Sequence, residues 1–153
     1  MILEFLKAML LSISPFGEAK VGIPYGMFRG LNIYMVFLLC FISNVLVFPL
    51  MLFFLDKVNG YFLKWHFYKK SAIYVARKAK TGSETKIKKY GFWGLMFFVM
   101  IPLPGTGVYA GSIATYLFKI DKKQAFLANV IGIFFSSLII WIATYLSMKG
   151  LSK

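Results

Sequence analysis

Two stretches of this chain, 31–55 (LNIYMVFLLCFISNVLVFPLMLFFL) and 125–148 (AFLANVIGIFFSSLIIWIATYLSM), contain no charged residue at all. As helices rising about 1.5 Å per residue, each outruns a hydrocarbon core of about 30 Å. The rest of the 153 residues agrees: 59% are hydrophobic and 15% charged, where soluble domains run nearer about 45–50% and about 25%. Mean hydropathy is +0.73. An ordinary soluble globular domain and a disordered chain are both excluded. Pro49, inside the first run, is tolerated in a bilayer helix where a neighbour satisfies the freed carbonyl.

Two further apolar stretches are interrupted. IPLPGTG at 101–107 breaks the run 92–118, and SPFGEAKVGIPYG at 14–26 breaks the run 1–30. Prolines and glycines at that density do not stay helical, so each stretch is left with arms about half a membrane thick. One reading makes 92–118 a kinked span and lays 1–30 on the membrane surface. The other makes both into re-entrant hairpins, whose irregular backbone must be buried in protein or line a cavity. Paired breaks in the two halves of a chain point to a central transport site, and the hairpin reading is the one expected here.

Charge placement supports it. The chain holds 18 basic and 5 acidic residues, a net charge of +13. Ten of the basic residues crowd into 56–91, between long uncharged runs, rather than spreading over a polar surface as in a soluble nucleic-acid binder. The connection 119–123 (KIDKK) adds three more. Under the positive-inside rule both segments are cytoplasmic, so 92–118 enters and leaves on one side. Within 56–80, Tyr61, Phe62, Trp65, Phe67, Tyr68 and Tyr74 alternate with lysines. That pattern predicts an interfacial helix on anionic lipid, followed by a turn at 81–84 and a short helix capped by Ser83. Glu4 and Lys7 interrupt the apolar run 1–14, and no small-residue cleavage site follows it; the segment is expected to stay in the mature chain.

A weak internal repeat is visible. A shift of 85 residues aligns Gly22 with Gly107, Gly26 with Gly111, Phe41 with Phe126, Asn44 with Asn129 and Val45 with Val130. Each half then reads as a hairpin followed by one full span, so the two copies have opposite orientations: an inverted repeat. The first repeat covers 1–55 and the second 92–148, on either side of the basic segment 56–91, all within one membrane domain over 1–153.

Few residues carry chemistry. Glu18 and Lys20 lie in the first break, and ionisable groups at membrane depth are costly and usually functional. Glu18 is suited to a proton or a cation, Lys20 to an anionic headgroup; the two are equally able to pair with each other. The second break is neutral and offers backbone: unwound amides and the N-terminus of the following half-helix can hold an anion, with the Thr106 hydroxyl beside them. Pro15, Gly17, Gly22, Pro24 and Gly26 shape the first tip, and Pro102, Pro104, Gly105, Gly107 and Gly111 the second. Asn44 and Asn129, polar groups inside full spans, should face the protein interior, as helix–helix contacts or as substrate contacts. Cys40 reads as a small buried or lipid-facing residue and His66 as an interfacial ring. No enzyme motif, P-loop, cofactor signature or metal cluster is present in the sequence, so active transport would draw on an ion gradient.

PFGEAKVGIPYG at 15–26 and KKYGFWGLMFFVMIPLPGTGVYAGSIA at 88–114 resemble the small multidrug export protein family. That family has P-x-x-E-x-[RK]-x-x-I-P in its first motif and I-P-L-P-G-T-G in its second. It is similar in turn to the wider DedA/VTT-domain superfamily, which has facing re-entrant hairpins. The resemblance implies a transporter-like architecture and, for some relatives, flipping of polyprenyl phosphate lipids. It sets Glu18 and Lys20 on the acidic and basic positions of the first motif, and Pro102, Pro104, Gly105, Thr106 and Gly107 on the second. DedA proteins usually carry an arginine near the second tip, and this chain has none there. It does not resemble the four-helix small multidrug resistance proteins, which place a lone glutamate in an unbroken first span.

The expectation is therefore an all-α integral membrane transporter with two re-entrant hairpins and two full spans. Its favoured substrate is an amphiphilic anion such as a polyprenyl-phosphate lipid, moved with a proton or sodium gradient. Export of small cationic compounds is the second reading, and a non-transporting scaffold that binds anionic lipid is the third. Membrane lipids are the expected partners, with no nucleic acid, and a homodimer is expected because the chain is small for a complete pathway.

Overall fold

The computed structural model describes residues 1–62, 91–102 and 106–151. They form α1 (Ile2–Ile13), α2 (Glu18–Phe28), α3 (Ile33–Phe62), α4 (Gly91–Met100), α5 (Val108–Leu117) and α6 (Lys122–Leu151). Most of the expected interfacial segment, with His66 and Ser83, lies outside the described residues, as do Pro104 and Gly105. Ile33–Val58 and Lys122–Gly150 are long and apolar enough to cross a membrane.

The first break is narrower than its composition suggests. Only residues 14–17 leave the helix, where the amides of Gly17 and Glu18 both bond to the Ser14 carbonyl, at 3.1 and 3.0 Å. From Glu18 the chain is helical again, straight through Gly22, Pro24 and Gly26. Pro24 removes a single intrahelical donor, in the second turn. The glycines serve packing. A Cβ at Gly22 would collide with Ser12 and the Ala8 carbonyl of α1, and one at Gly26 would lie 2.7 Å from Val36 of α3. Helix α2 thus lies close on α1 and α3. With 12 and 11 residues, α1 and α2 are about 18 and 17 Å long. The second break ends α4 at Met100 and restarts the helix at Val108.

The two long helices run antiparallel. Ring pairs set the register: Phe37 against Trp141 at 6.2 Å, Phe41 against Phe134 at 5.9 Å and Phe48 against Phe126 at 6.0 Å. Each short-helix pair packs at one end of this pair. Ala8, Ala19, Ile23 and Met27 form a core with Val36 and Cys40, flanked by Ile140, Trp141 and Met148. Leu95, Met96, Val99 and Val108 form a second core with Val47, Phe48, Ala125 and Ile133.

Local geometry recurs between the halves. After α2, the amides of Arg29 and Leu31 bond to Tyr25 and Gly26, with left-handed Gly30 between them (φ +72°). After α5, the amides of Phe118 and Ile120 bond to Ala114 and Thr115, with left-handed Lys119 (φ +51°). These are two helix C-terminal motifs of one kind. Each leads into an N-cap: Asn32 accepts from the Tyr34 amide and Asp121 from the Gln124 amide, both at 3.1 Å. The recurrence lies 89 residues apart, pairing Gly22 with Gly111 and Cys40 with Asn129. The 85-residue sequence shift differs from this spacing by four residues, about one helical turn. A Gly-x-x-x-Gly pair looks the same when slid by four residues, so its register is ambiguous on glycine identity alone.

Candidate functional site

The tips of the two broken segments meet. Glu18 opens α2 in a left-handed backbone conformation (φ +54°), one that non-glycine residues adopt rarely and at a cost of about 1–3 kcal/mol. Its side chain is buried, with the residue 6% exposed. The Lys20 ammonium lies 3.2 Å from its Oε2 and also donates to the Thr106 carbonyl, across the junction. The backbone N–H of Tyr109, in the first turn of α5, also faces the Glu18 carboxylate.

Glu18 therefore sits at two helix N-termini at once, its own and that of α5, where oriented amides favour negative charge. The anion seat expected of the second break is filled by a carboxylate of this chain. Gly107 makes the approach possible. Its backbone (φ +133°, ψ −158°) belongs to a region open essentially to glycine alone. A Cβ there would overlap the Glu18 carboxylate, coming within 2.7 Å of its Cδ and Oε1. Thr106 donates its hydroxyl to the Ile101 carbonyl at 2.5 Å.

Tyr109 is a member the sequence reasoning missed. Its hydroxyl donates to the Ile13 carbonyl at the end of α1, so one residue ties the second tip to both arms of the first. The visible signal was its place two residues beyond the GTG of the second break, the first side chain able to reach across.

Both asparagines face the protein interior. Asn129 is fully buried, donates to the Ala125 carbonyl at 2.9 Å, and presses its Oδ1 onto Gly111, where a Cβ would also sit 2.8 Å from Val99. It belongs to the packing of α4, α5 and α6. Asn44 is buried on α3. The Oδ1 atoms of both accept no hydrogen bond among the described residues. No group of three or more potential metal-ligating side chains occurs among the described residues.

A second polar cluster closes the open end of the first hairpin. Glu4 accepts from Arg29 Nε at 3.0 Å, Tyr25 OH at 2.7 Å and Lys7 Nζ at 2.9 Å. Those hydrogen bonds, that of Arg29 foremost, hold its carboxyl down at about 2.

The chain matches the family model described as "Putative small multi-drug export protein" over residues 18–139, from the first residue of α2 to beyond the middle of α6. No curated protein and no solved structure matches it.

Proposed function

The chain belongs to the small multi-drug export protein family, and we propose that it is a membrane exporter of small organic cations whose substrate site is the Glu18 junction between the two tips. One observation carries the choice of charge. The Tyr109 N–H at the start of α5, which a substrate anion would use, already faces the Glu18 carboxylate, and the Lys20 ammonium is held by Glu18 and by the Thr106 carbonyl. A phosphate would have to displace this chain's own carboxylate. A cation needs only to take the place of Lys20, and the buried carboxylate stays paired throughout, avoiding the large penalty of a lone buried charge.

Several features support the transporter geometry. Each short-helix pair is about half a membrane long and packs at its own end of an antiparallel span pair. Matching turns follow α2 and α5. We read these as two re-entrant hairpins entering from opposite faces, an inverted repeat of the kind the resemblance to DedA/VTT proteins implies. Asp56 and Lys122 meet at 2.5 Å, in keeping with a cytoplasmic position for both 56–91 and 119–123. Proton coupling would require Glu18 to take up a proton in the steps between release of one cation and binding of the next, in place of its pairing with Lys20.

The test is transport by the purified chain in liposomes. Wild type is expected to move a fluorescent organic cation, Glu18→Gln to fall to the level of empty liposomes, and Lys20→Ala to keep transporting. The reverse pattern, with Lys20→Ala dead and a polyprenyl phosphate carried instead, would return the site to an anionic lipid. Liposomes in which neither compound moves would leave the lipid-binding scaffold.

A further inference from the structure

Between α3 and α6, at the end closed by the Asp56–Lys122 ion pair, lies a groove of about 610 Å³. That is within the roughly 300–1,000 Å³ of ligand sites. Its walls are Phe48, Pro49, Leu52, Phe53, Phe126 and Leu127. It is separate from the Glu18 junction, although Phe48, its inner wall, shares a core with Val108 beside Gly107. Phe53 and Leu127 are more than half exposed, so the groove opens sideways from the two spans, in the direction where a bilayer would supply acyl chains.

Charge at the mouth selects the occupant. Asp56, Lys122 and Lys123 complete the lining. Asp56 is neutralised by Lys122, which leaves Lys123 as surplus positive charge. Lys57 and Lys119 are near neighbours in sequence. An organic cation would meet this charge head on, and an uncharged chain would leave it unused. A phosphodiester matches that single surplus charge, binding Lys123 and sharing Lys122 with Asp56, while its acyl chain lies against the phenylalanines, which is how basic residues at a membrane surface hold anionic lipid.

We propose that this groove is a specific seat for one anionic glycerophospholipid, with an acyl chain between α3 and α6 and the phosphate on Lys122 and Lys123. The inference rests on the membrane placement of α3 and α6 and not on which substrate the protein moves. Failure of transport would therefore leave it standing.

Native mass spectrometry of the full chain, released from detergent after incubation with equal phosphatidylglycerol and phosphatidylcholine of the same chains, tests it. One phosphatidylglycerol per chain is expected to survive. Lys122→Ser with Lys123→Ser removes two headgroup contacts and uncovers Asp56, and should cut the retained lipid by about tenfold or more. Leu127→Trp fills the groove without touching the charge and should do the same while helical circular dichroism is unchanged. Lys69→Ser with Lys70→Ser, in the basic segment, should leave retention intact. Equal retention of phosphatidylcholine, survival of the lipid in both groove variants, or its loss on changing Lys69 and Lys70 would each overturn the site. Displacement of the lipid from wild type by a fluorescent organic cation would also overturn it, and make the groove a substrate vestibule.

Discussion

The carboxylate of Glu18 occupies the space that a side chain at position 107 would need. One residue opens α2 and the other precedes α5, so the two broken segments fit tip to tip only because one of them ends in glycine. The junction's chemistry depends on that fit, because it brings the Tyr109 amide onto the carboxylate and the Thr106 carbonyl onto Lys20.

Gly107→Ala should therefore damage both fold and function. The backbone alone costs about 1–3 kcal/mol in a conformation reserved for glycine, before any displacement of Glu18. Thermal unfolding in detergent is expected to show a lowered midpoint, with transport lost. A variant as stable and active as wild type would mean that the tips do not meet in this way.

The Glu18–Lys20 pair should behave as a buried ion pair. Lys20→Met leaves the buried Glu18 carboxylate without its counter-charge, which costs about 3–5 kcal/mol in comparable cases, and Glu18→Gln costs less because Lys20 keeps the Thr106 carbonyl. The double variant should lose less stability than the two single losses added together. Additive losses would mean that the two side chains act independently.

Gly111 and Asn129 should also be coupled. Gly111→Ala drives a methyl into Asn129 Oδ1 and towards Val99, and overpacking of this kind typically costs about 1–3 kcal/mol. In the Asn129→Ala background the same change meets only Val99, and its cost should fall. An unchanged cost would place the strain elsewhere.

Glu4 predicts an acid limb in stability. Its carboxyl is held at about 2 in the folded chain, below its ordinary value of 4.5. The folded state therefore binds protons less readily than the unfolded state. The contribution is complete above about 4.5 and disappears as pH falls through about 2. Wild type minus Glu4→Gln, compared by unfolding between pH 6 and pH 2, should shrink toward the acid end; the exposed position keeps the difference small and salt-sensitive. A constant difference would mean that the Arg29, Tyr25 and Lys7 contacts do not persist in solution.

Much of this architecture was legible because bilayer physics is strict. Uncharged runs at 31–55 and 125–148 have few fates, and prolines with glycines at 15–17 and 102–107 interrupt the helices. Charge among those glycines singled out Glu18 and Lys20. The extent of the first break was not legible. Gly22, Pro24 and Gly26 read as breakers by propensity, whereas close packing of α2 on α1 and α3 keeps them helical. The 85-residue shift, read from two glycine pairs with Phe41/Phe126, Asn44/Asn129 and Val45/Val130, does not coincide with the recurring turns 89 residues apart, so those identities were a poor cue. The turns after α2 and α5 carry the better one, an asparagine at 32 matching an aspartate at 121. Tyr109 and the Arg29–Glu4 contact were out of reach because both join residues distant in sequence, and only the packed hairpins bring them together. The Glu18 carboxylate beside the start of α5 was not legible, because a group from the other half of the chain is invisible to reasoning about either half alone.

The contact between the tips is best measured by cross-linking in native membranes. With Cys40 replaced by serine, Lys20→Cys and Thr106→Cys should be joined within one chain by a short bifunctional thiosulfonate. Phe16→Cys, at the almost fully exposed turn, should not be joined to Thr106→Cys by the same reagent. Failure of the first pair to cross-link, with its two introduced thiols labelled by an impermeant maleimide from opposite sides of the membrane, would contradict the account.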